Sequence, residues 1–127
     1  MPQDRTALNA ISERIIGCAF TVANTPGHGF LENVYENALA HELAKAGITV
    51  AQQLGVVAQY DGVTIGTYAA DLLVESTILL ELKAARALDT AHMAQCLNYL
   101  KATGLPLCLL LNFGAQRLEI RRLVNRP

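Results

Sequence analysis

The sequence predicts an α/β protein, one sheet with helices on its faces. Three observations lead there. Apolar residues recur at helical spacing in three separate segments. An Asp61-Gly62 dipeptide divides two strand-like runs, the mark of a tight hairpin. The run LCLLL at 107–111 is continuously apolar, as a strand buried on both faces must be. Read in order, the elements are helix, helix, three strands, helix, strand, strand, and a single sheet accommodates them economically. A length of 127 residues makes 1–127 one domain, long enough to bury a core without disulfides or a structural metal.

The first helix spans about 4–23, where Leu8, Ile11, Ile15, Ile16, Ala19 and Phe20 form its stripe. Thr25, Pro26, Gly27, His28 and Gly29 end it. A second helix spans about 30–46 with Leu31, Val34, Tyr35, Ala38, Leu39 and Leu43 in line, and Gly47 stops it. Strands at 49–60, 63–74 and 77–83 follow as an antiparallel meander, with Glu75 and Ser76 opening the second turn. Asp89 or Thr90 caps a third helix over 90–103, whose core stripe is Met93, Leu97 and Leu100 and whose stop is Gly104. The 107–111 strand pairs parallel to a neighbour. After Gln116, Leu118 and Ile120 alternate with Arg117, Glu119 and Arg121 in a final, exposed strand.

Composition excludes several classes. Over half of the residues are hydrophobic and 17% are charged, which is incompatible with disorder. Net charge is −1, so no global positive field points to nucleic acid. Arg117, Arg121, Arg122 and Arg126 form either a local basic strip or the gatekeepers of a solvated edge strand. The three cysteines, Cys18, Cys96 and Cys108, are widely spaced in apolar stretches and read as buried small hydrophobes rather than a disulfide or zinc set. The first ten residues contain no apolar signal region, and no apolar run reaches membrane-spanning length. A reducing cytoplasm and no membrane are expected.

The chemistry concentrates in ILLELKA at 78–84. Glu81 and Lys83 interrupt an apolar strand, and two residues apart they face the same way. Such groups carry a heavy desolvation cost unless paired or metal-bound. The preceding strand has one charge, Asp71. A three-residue connection, or a two-residue turn with a bulge, sets Asp71 across from Glu81. A plain two-residue turn at Glu75-Ser76 sets it across from Leu80 instead. Two carboxylates beside an ammonium suit a hard divalent cation such as Mg²⁺, and they equally suit a buried salt bridge without metal.

The pattern Asp71, nine residues, Glu81-Leu82-Lys83 resembles the D…ExK signature of PD-(D/E)XK nucleases. Gly29-Phe30-Leu31-Glu32-Asn33-Val34-Tyr35 reads GxxExxY, and Gln95-Cys96-Leu97-Asn98-Tyr99 reads QxxxY on the following helix. With the phrases YAADLLVE, LELKA and LLNFG, residues 7–122 resemble the GxxExxY family of that superfamily. The resemblance implies a restriction-endonuclease-like core, a mixed sheet flanked by helices. It implies Mg²⁺ or Mn²⁺ held by Asp71, Glu81, the Leu82 carbonyl and, directly or through water, Glu32. Lys83 would serve the water or the leaving phosphate, and Gln95 and Tyr99 would contact phosphate or brace the site. Each residue also has a plainer reading: Glu32 favours a helix N-terminus, Tyr35 and Tyr99 suit a core, and His92 suits a helix start.

Three functions follow. One is a metal-dependent nuclease acting on nucleic acid, DNA before RNA, with a homodimer compatible with its size. The second is a catalytically silent nuclease-like module that binds nucleic acid or a protein partner. The third is a structural role with the charges as a polar network.

Overall fold

A computed structural model describes residues 5–25 and 29–126. In chain order the elements are α1 (Arg5–Asn24), α2 (Glu32–Lys45), β1 (Val50–Tyr60), β2 (Val63–Val74), β3 (Ile78–Lys83), α3 (Thr90–Thr103), β4 (Leu107–Asn112) and β5 (Glu119–Val124). This is the order the sequence predicts. The expected helix start at Asp4 and the turn residues Pro26, Gly27 and His28 lie outside the described residues.

The strands form one five-stranded sheet in the order β1-β2-β3-β4-β5. β1, β2 and β3 are antiparallel neighbours, β3 and β4 are parallel, and β4 and β5 are antiparallel. The sheet is therefore mixed, and α3 carries the crossover that the parallel pair requires. Alternation along β3 divides the interior in two. Ile78, Leu80 and Leu82 join the core beneath α1 and α2, while Leu79 joins the core beneath α3. Both faces of β3 and β4 are covered, which explains their unbroken apolar runs.

The helix stripes differ in part from expectation. In α1 the buried positions are Leu8, Ser12, Ile15, Ala19 and Val22, while Phe20 is exposed. In α2 they are Tyr35, Glu36, Leu39, Ala40 and Leu43, and Leu31 and Val34 are exposed. In α3 the face set by Cys96, Tyr99 and Leu100 is buried, and Leu97 is 38% exposed. Leu97 follows Cys96 directly, so at 3.6 residues per turn it points away from that face; the predicted Met93, Leu97, Leu100 stripe is corrected accordingly.

Turn chemistry explains the connections. Asp61 and Gly62 have φ of 52° and 75°, the paired positive values of a tight hairpin turn. Asp89 caps α3 in a reciprocal box: it accepts from the His92 backbone N–H at 3.0 Å, and His92 Nδ1 accepts from the Asp89 N–H at 3.2 Å. His92 thus serves the helix start. Gly104 ends α3 with φ of 73°. Gly104→Ala is expected to cost about 1 kcal/mol by chemical denaturation, the strain of a side chain in the left-handed region.

Asn112, fully buried at the end of β4, clamps the loop that leaves β3. Its Oδ1 accepts from the Ala85 N–H at 2.9 Å and the Gly114 N–H at 3.0 Å. Its Nδ2 donates to the Ala85 carbonyl at 2.9 Å and to Glu119 Oε1 at 2.8 Å. A Cβ on Gly114 would overlap the backbone of Ala84 and Ala85, so only glycine permits this approach.

β5 is an edge strand with Arg121 and Arg122 exposed. Arg122 Nη2 donates to Asn9 Oδ1 on α1 at 2.7 Å. Exposed arginines on an edge strand suit both readings of the basic strip, edge gatekeepers and a local phosphate contact. Among the described residues no helix is long and apolar enough to cross a membrane.

Candidate active site

The connection between β2 and β3 has three residues, Glu75, Ser76 and Thr77. Glu75 and Ser76 both adopt positive φ, 51° and 57°, and the Thr77 N–H closes the turn on the Val74 carbonyl at 3.0 Å. The resulting register pairs Val74 with Ile78 and Leu72 with Leu80. Continued by one step, it sets Asp71 opposite Glu81, as the site requires.

At that step the backbone ladder gives way to side chains. The Asp71 N–H donates to Glu81 Oε2 at 2.7 Å, and the Leu82 N–H donates to Asp71 Oδ2 at 2.8 Å. Each strand's carboxylate thus accepts from the other strand's backbone. The opening arises next door in β1, where Gln53 drops out of the register between Gln52↔Leu72 and Leu54↔Ala70 with a left-handed φ of 55°. The ribbon rolls over there. Val50, Leu72 and Val74 pack under α1 and α2, yet the like-numbered Leu54, Val56, Tyr68 and Ala70 pack under α3. Gln53 thus holds a left-handed backbone that non-glycine residues seldom adopt, beside the two carboxylates.

Removal from water and a neighbouring negative charge both raise a carboxyl group's proton affinity. Burial, then the charge of Asp71, pushes Glu81 up to about 8. Burial also raises Asp71, opposed by the Leu82 N–H and by Lys83, and reinforced by Glu36 and Glu32. Lys83 is on the same face, and its Nζ donates to Gln95 Oε1 on α3 at 3.2 Å. Tyr99, one turn further along α3, is pushed up to about 12 by burial and then by Glu81, so its hydroxyl keeps its proton. Its ring stacks on Tyr68 with centroids 4.6 Å apart. The sequence-predicted Asp71, Glu81, Lys83, Gln95 and Tyr99 are therefore brought together.

Glu32 stands apart from them. It is the first residue of α2 and exposed, and it reaches Asp71 only through its field. Its predicted face-mate Tyr35 turns inward instead. Tyr35 is buried, stacks on Phe113 with centroids 4.8 Å apart, and accepts from the Phe30 N–H at 3.4 Å. Leu82 contributes its N–H to Asp71 and buries its side chain in the core beneath α1 and α2.

Sequence reasoning missed Glu36, one turn beyond Glu32 and buried. Its oxygens accept from Gln52 Nε2 and Gln53 Nε2, both at 2.8 Å, and its charge acts on both Asp71 and Glu81. The signal was its place between the buried Tyr35 and Leu39, where a free carboxylate does not belong. With Mn²⁺ held at Asp71 and Glu81, Glu36→Gln would weaken its binding about tenfold by calorimetric titration, through loss of a charge that acts on both carboxylates.

Among the described residues no group of three or more His, Cys, Asp and Glu side chains converges as a metal cage. One buried and one half-buried carboxylate, both with hard oxygens, nonetheless fit Mg²⁺ or Mn²⁺, since Mg²⁺ commonly takes one or two carboxylates and fills its remaining positions with water and phosphate.

A mixed sheet with ExK on a central strand, a carboxylate on the adjoining one and Gln and Tyr above it describes a nuclease-type core. A family model of the PD-(D/E)XK nuclease superfamily matches residues 9–123, and the chain belongs to that superfamily. Among solved structures, SSO0001 superposes with a TM-score of 0.58 at 15% identity, over 75% of this chain and 50% of its own. That likeness is one of fold, and the chain spans half the length of SSO0001. An alkaline exonuclease (LHK-Exo) from Laribacter hongkongensis gives a TM-score of 0.47 at 15% identity, over 99% of this chain and 73% of its own. Among curated proteins none matches significantly.

Proposed function

We propose that this chain is a divalent-metal-dependent nuclease that hydrolyses phosphodiester bonds of nucleic acid, DNA before RNA, with Mg²⁺ or Mn²⁺ at Asp71 and Glu81. The observation that carries the reading is the cross-strand carboxylate pair, Asp71 and Glu81, each anchored by the other strand's N–H, with Lys83 on the same face. Glu32 and the Leu82 carbonyl belong to the same proposed ligand set. When bound, the cation would polarise the phosphate and lower the pKa of a bound water.

The chain's own residues do the rest. The two backbone N–H bonds hold the carboxylates in place, so their oxygens need no reordering when charge arrives. Lys83, steadied by Gln95, positions the attacking water or meets charge on the leaving phosphate. Tyr99 keeps its proton and braces the α3 side of the site. Gly29, Glu32 and Tyr35 support assignment to the GxxExxY group within the superfamily. The reading takes the chain as one domain in the cytoplasm, in keeping with three free cysteines. A second copy would let so small a domain span a duplex.

One observation favours the rival, a silent module that binds without cutting: both carboxylates already have hydrogen-bond partners. Circular single-stranded and supercoiled double-stranded DNA, incubated with Mg²⁺, Mn²⁺ or EDTA, separate the two readings. The nuclease is expected to cut with metal only, and Asp71→Ala and Lys83→Ala to abolish cutting. Wild-type protein that cuts neither DNA with either metal would sink the nuclease reading in favour of the silent module.

A further inference from the structure

The exposed side of α3 and the β1–β2 hairpin enclose a groove in two parts. A cavity of about 370 Å³ lies over Gln95 and Tyr99, and one of about 990 Å³ continues towards Lys101 and Leu54. Tyr68 and Asn98 line both, so the two parts meet at those side chains. The near end borders the carboxylate site through Gln95, which accepts from Lys83 Nζ, although Asp71, Glu81 and Lys83 line neither cavity. Gln95, Asn98 and Lys101 follow one another at spacings of three along the helix, so they form one rail of about 9 Å.

The chemistry of the lining is selective. It contains no aspartate or glutamate, although the adjoining site is rich in carboxylates. Lys101 is its one cation. Tyr68 is half-buried, with one partner ring stacked on it, and Gln95 and Asn98 supply amide donors and acceptors. The opposite wall, β1, is the edge strand of the sheet. Such an edge leaves backbone N–H groups without ladder partners.

We propose that this groove binds a single polynucleotide strand and leads it to the carboxylates, with Tyr68 stacking on a base, Asn98 meeting base edges and Lys101 meeting phosphate. The proposal rests on the nuclease reading of the site. Duplex is the poorer occupant on two counts. Gripping a duplex takes cations at several phosphates, whereas the groove offers one. Bases within a duplex are also stacked on each other and cannot reach a tyrosine, whereas unpaired bases can.

The test is fluorescence anisotropy with labelled oligothymidylate and oligouridylate of about twelve nucleotides, a length one small single-strand-binding fold covers. A hairpin duplex is the third probe. Binding is measured in EDTA and in Ca²⁺, and cleavage of the same probes in Mn²⁺. Tyr68→Ala is expected to weaken single-strand binding about tenfold and Tyr68→Phe to retain it. Lys101→Ala is expected to weaken it severalfold and to reduce the salt dependence by about one phosphate contact. Asn98 and Lys101 are exposed, so Asn98→Ala and Lys101→Ala test the groove even if Tyr68→Ala does not fold. Comparison of the two oligonucleotides separates DNA from RNA as the strand bound. Unchanged affinity in all variants, tighter binding of the duplex, or no single-strand binding overturns the groove. Cleavage with unchanged affinity overturns the groove and leaves the nuclease; variant-sensitive binding without cleavage does the reverse.

Discussion

Glu81→Gln is expected to lower metal-dependent cleavage about a thousandfold and, in metal-free protein, to raise stability at pH 8. The first effect follows from the proposed metal site, which would lose one of its two carboxylates, since several kcal/mol of charge stabilisation corresponds to about three decades in rate. The second follows from linkage. Glu81 rises from an ordinary 4.5 to about 8 in the folded protein, chiefly through burial and then through Asp71, while Lys83 opposes and Glu36 reinforces the shift. Between these values the folded chain holds a proton that the unfolded chain has released, so metal-free stability falls as pH rises from 4.5 towards 8. Glutamine mimics the protonated acid and can still accept the Asp71 N–H through its carbonyl. The gain at pH 8 is on the order of a few kcal/mol. Melting curves from pH 5 to pH 8, with EDTA or saturating Mn²⁺, check it. Wild type should lose stability with pH in EDTA and recover it with Mn²⁺, and the variant should do neither. A variant melting below wild type in EDTA at pH 8 would contradict the argument.

Asn112→Ala is expected to cost about 3 kcal/mol, because it strips partners from the Ala85 N–H and carbonyl, the Gly114 N–H and Glu119 at once. Cleavage should fall with stability, since the clamped loop begins directly after Lys83 and the Phe113 N–H bonds the Lys83 carbonyl at 2.9 Å. Urea denaturation beside the cleavage assay measures both. Full activity in a strongly destabilised variant would free the clamp from any part in placing Lys83. Gly114→Ala should behave alike, for its Cβ would enter the same backbone.

The fold was legible because its signals are local. Asp61-Gly62, Gly104 and Asp89 announce turns, stops and caps through backbone chemistry that needs no distant partner. Period separates helix from strand on equally local grounds. Asp71, Glu81 and Lys83 were legible because charges in apolar strands are costly without a purpose. Glu36, Gln53 and Asn112 were not, since their meaning depends on long-range contacts. Glu36 meets Gln52 and Gln53 across two elements, and Asn112 meets Ala85 from far along the chain. Leu97 misled because leucine is equally at home beside a core and on a surface near one.

The twofold burial of β3 has a consequence for folding fidelity. Where one sheet face meets water, a one-residue slip would strand apolar side chains in solvent, and the pattern itself forbids it. β3 is apolar towards both cores, so hydrophobicity distinguishes poorly between pairing Val74 with Ile78 and pairing it with Thr77. The polar groups make the choice. Only the observed pairing lets Asp71 and Glu81 exchange their backbone bonds, and the slip to Thr77 would set Glu81 against Ala70 and Asp71 against Leu80. The residues proposed for hydrolysis thereby also proofread strand alignment, so an inactive relative that lost both carboxylates would have to find another guard against misregistered copies.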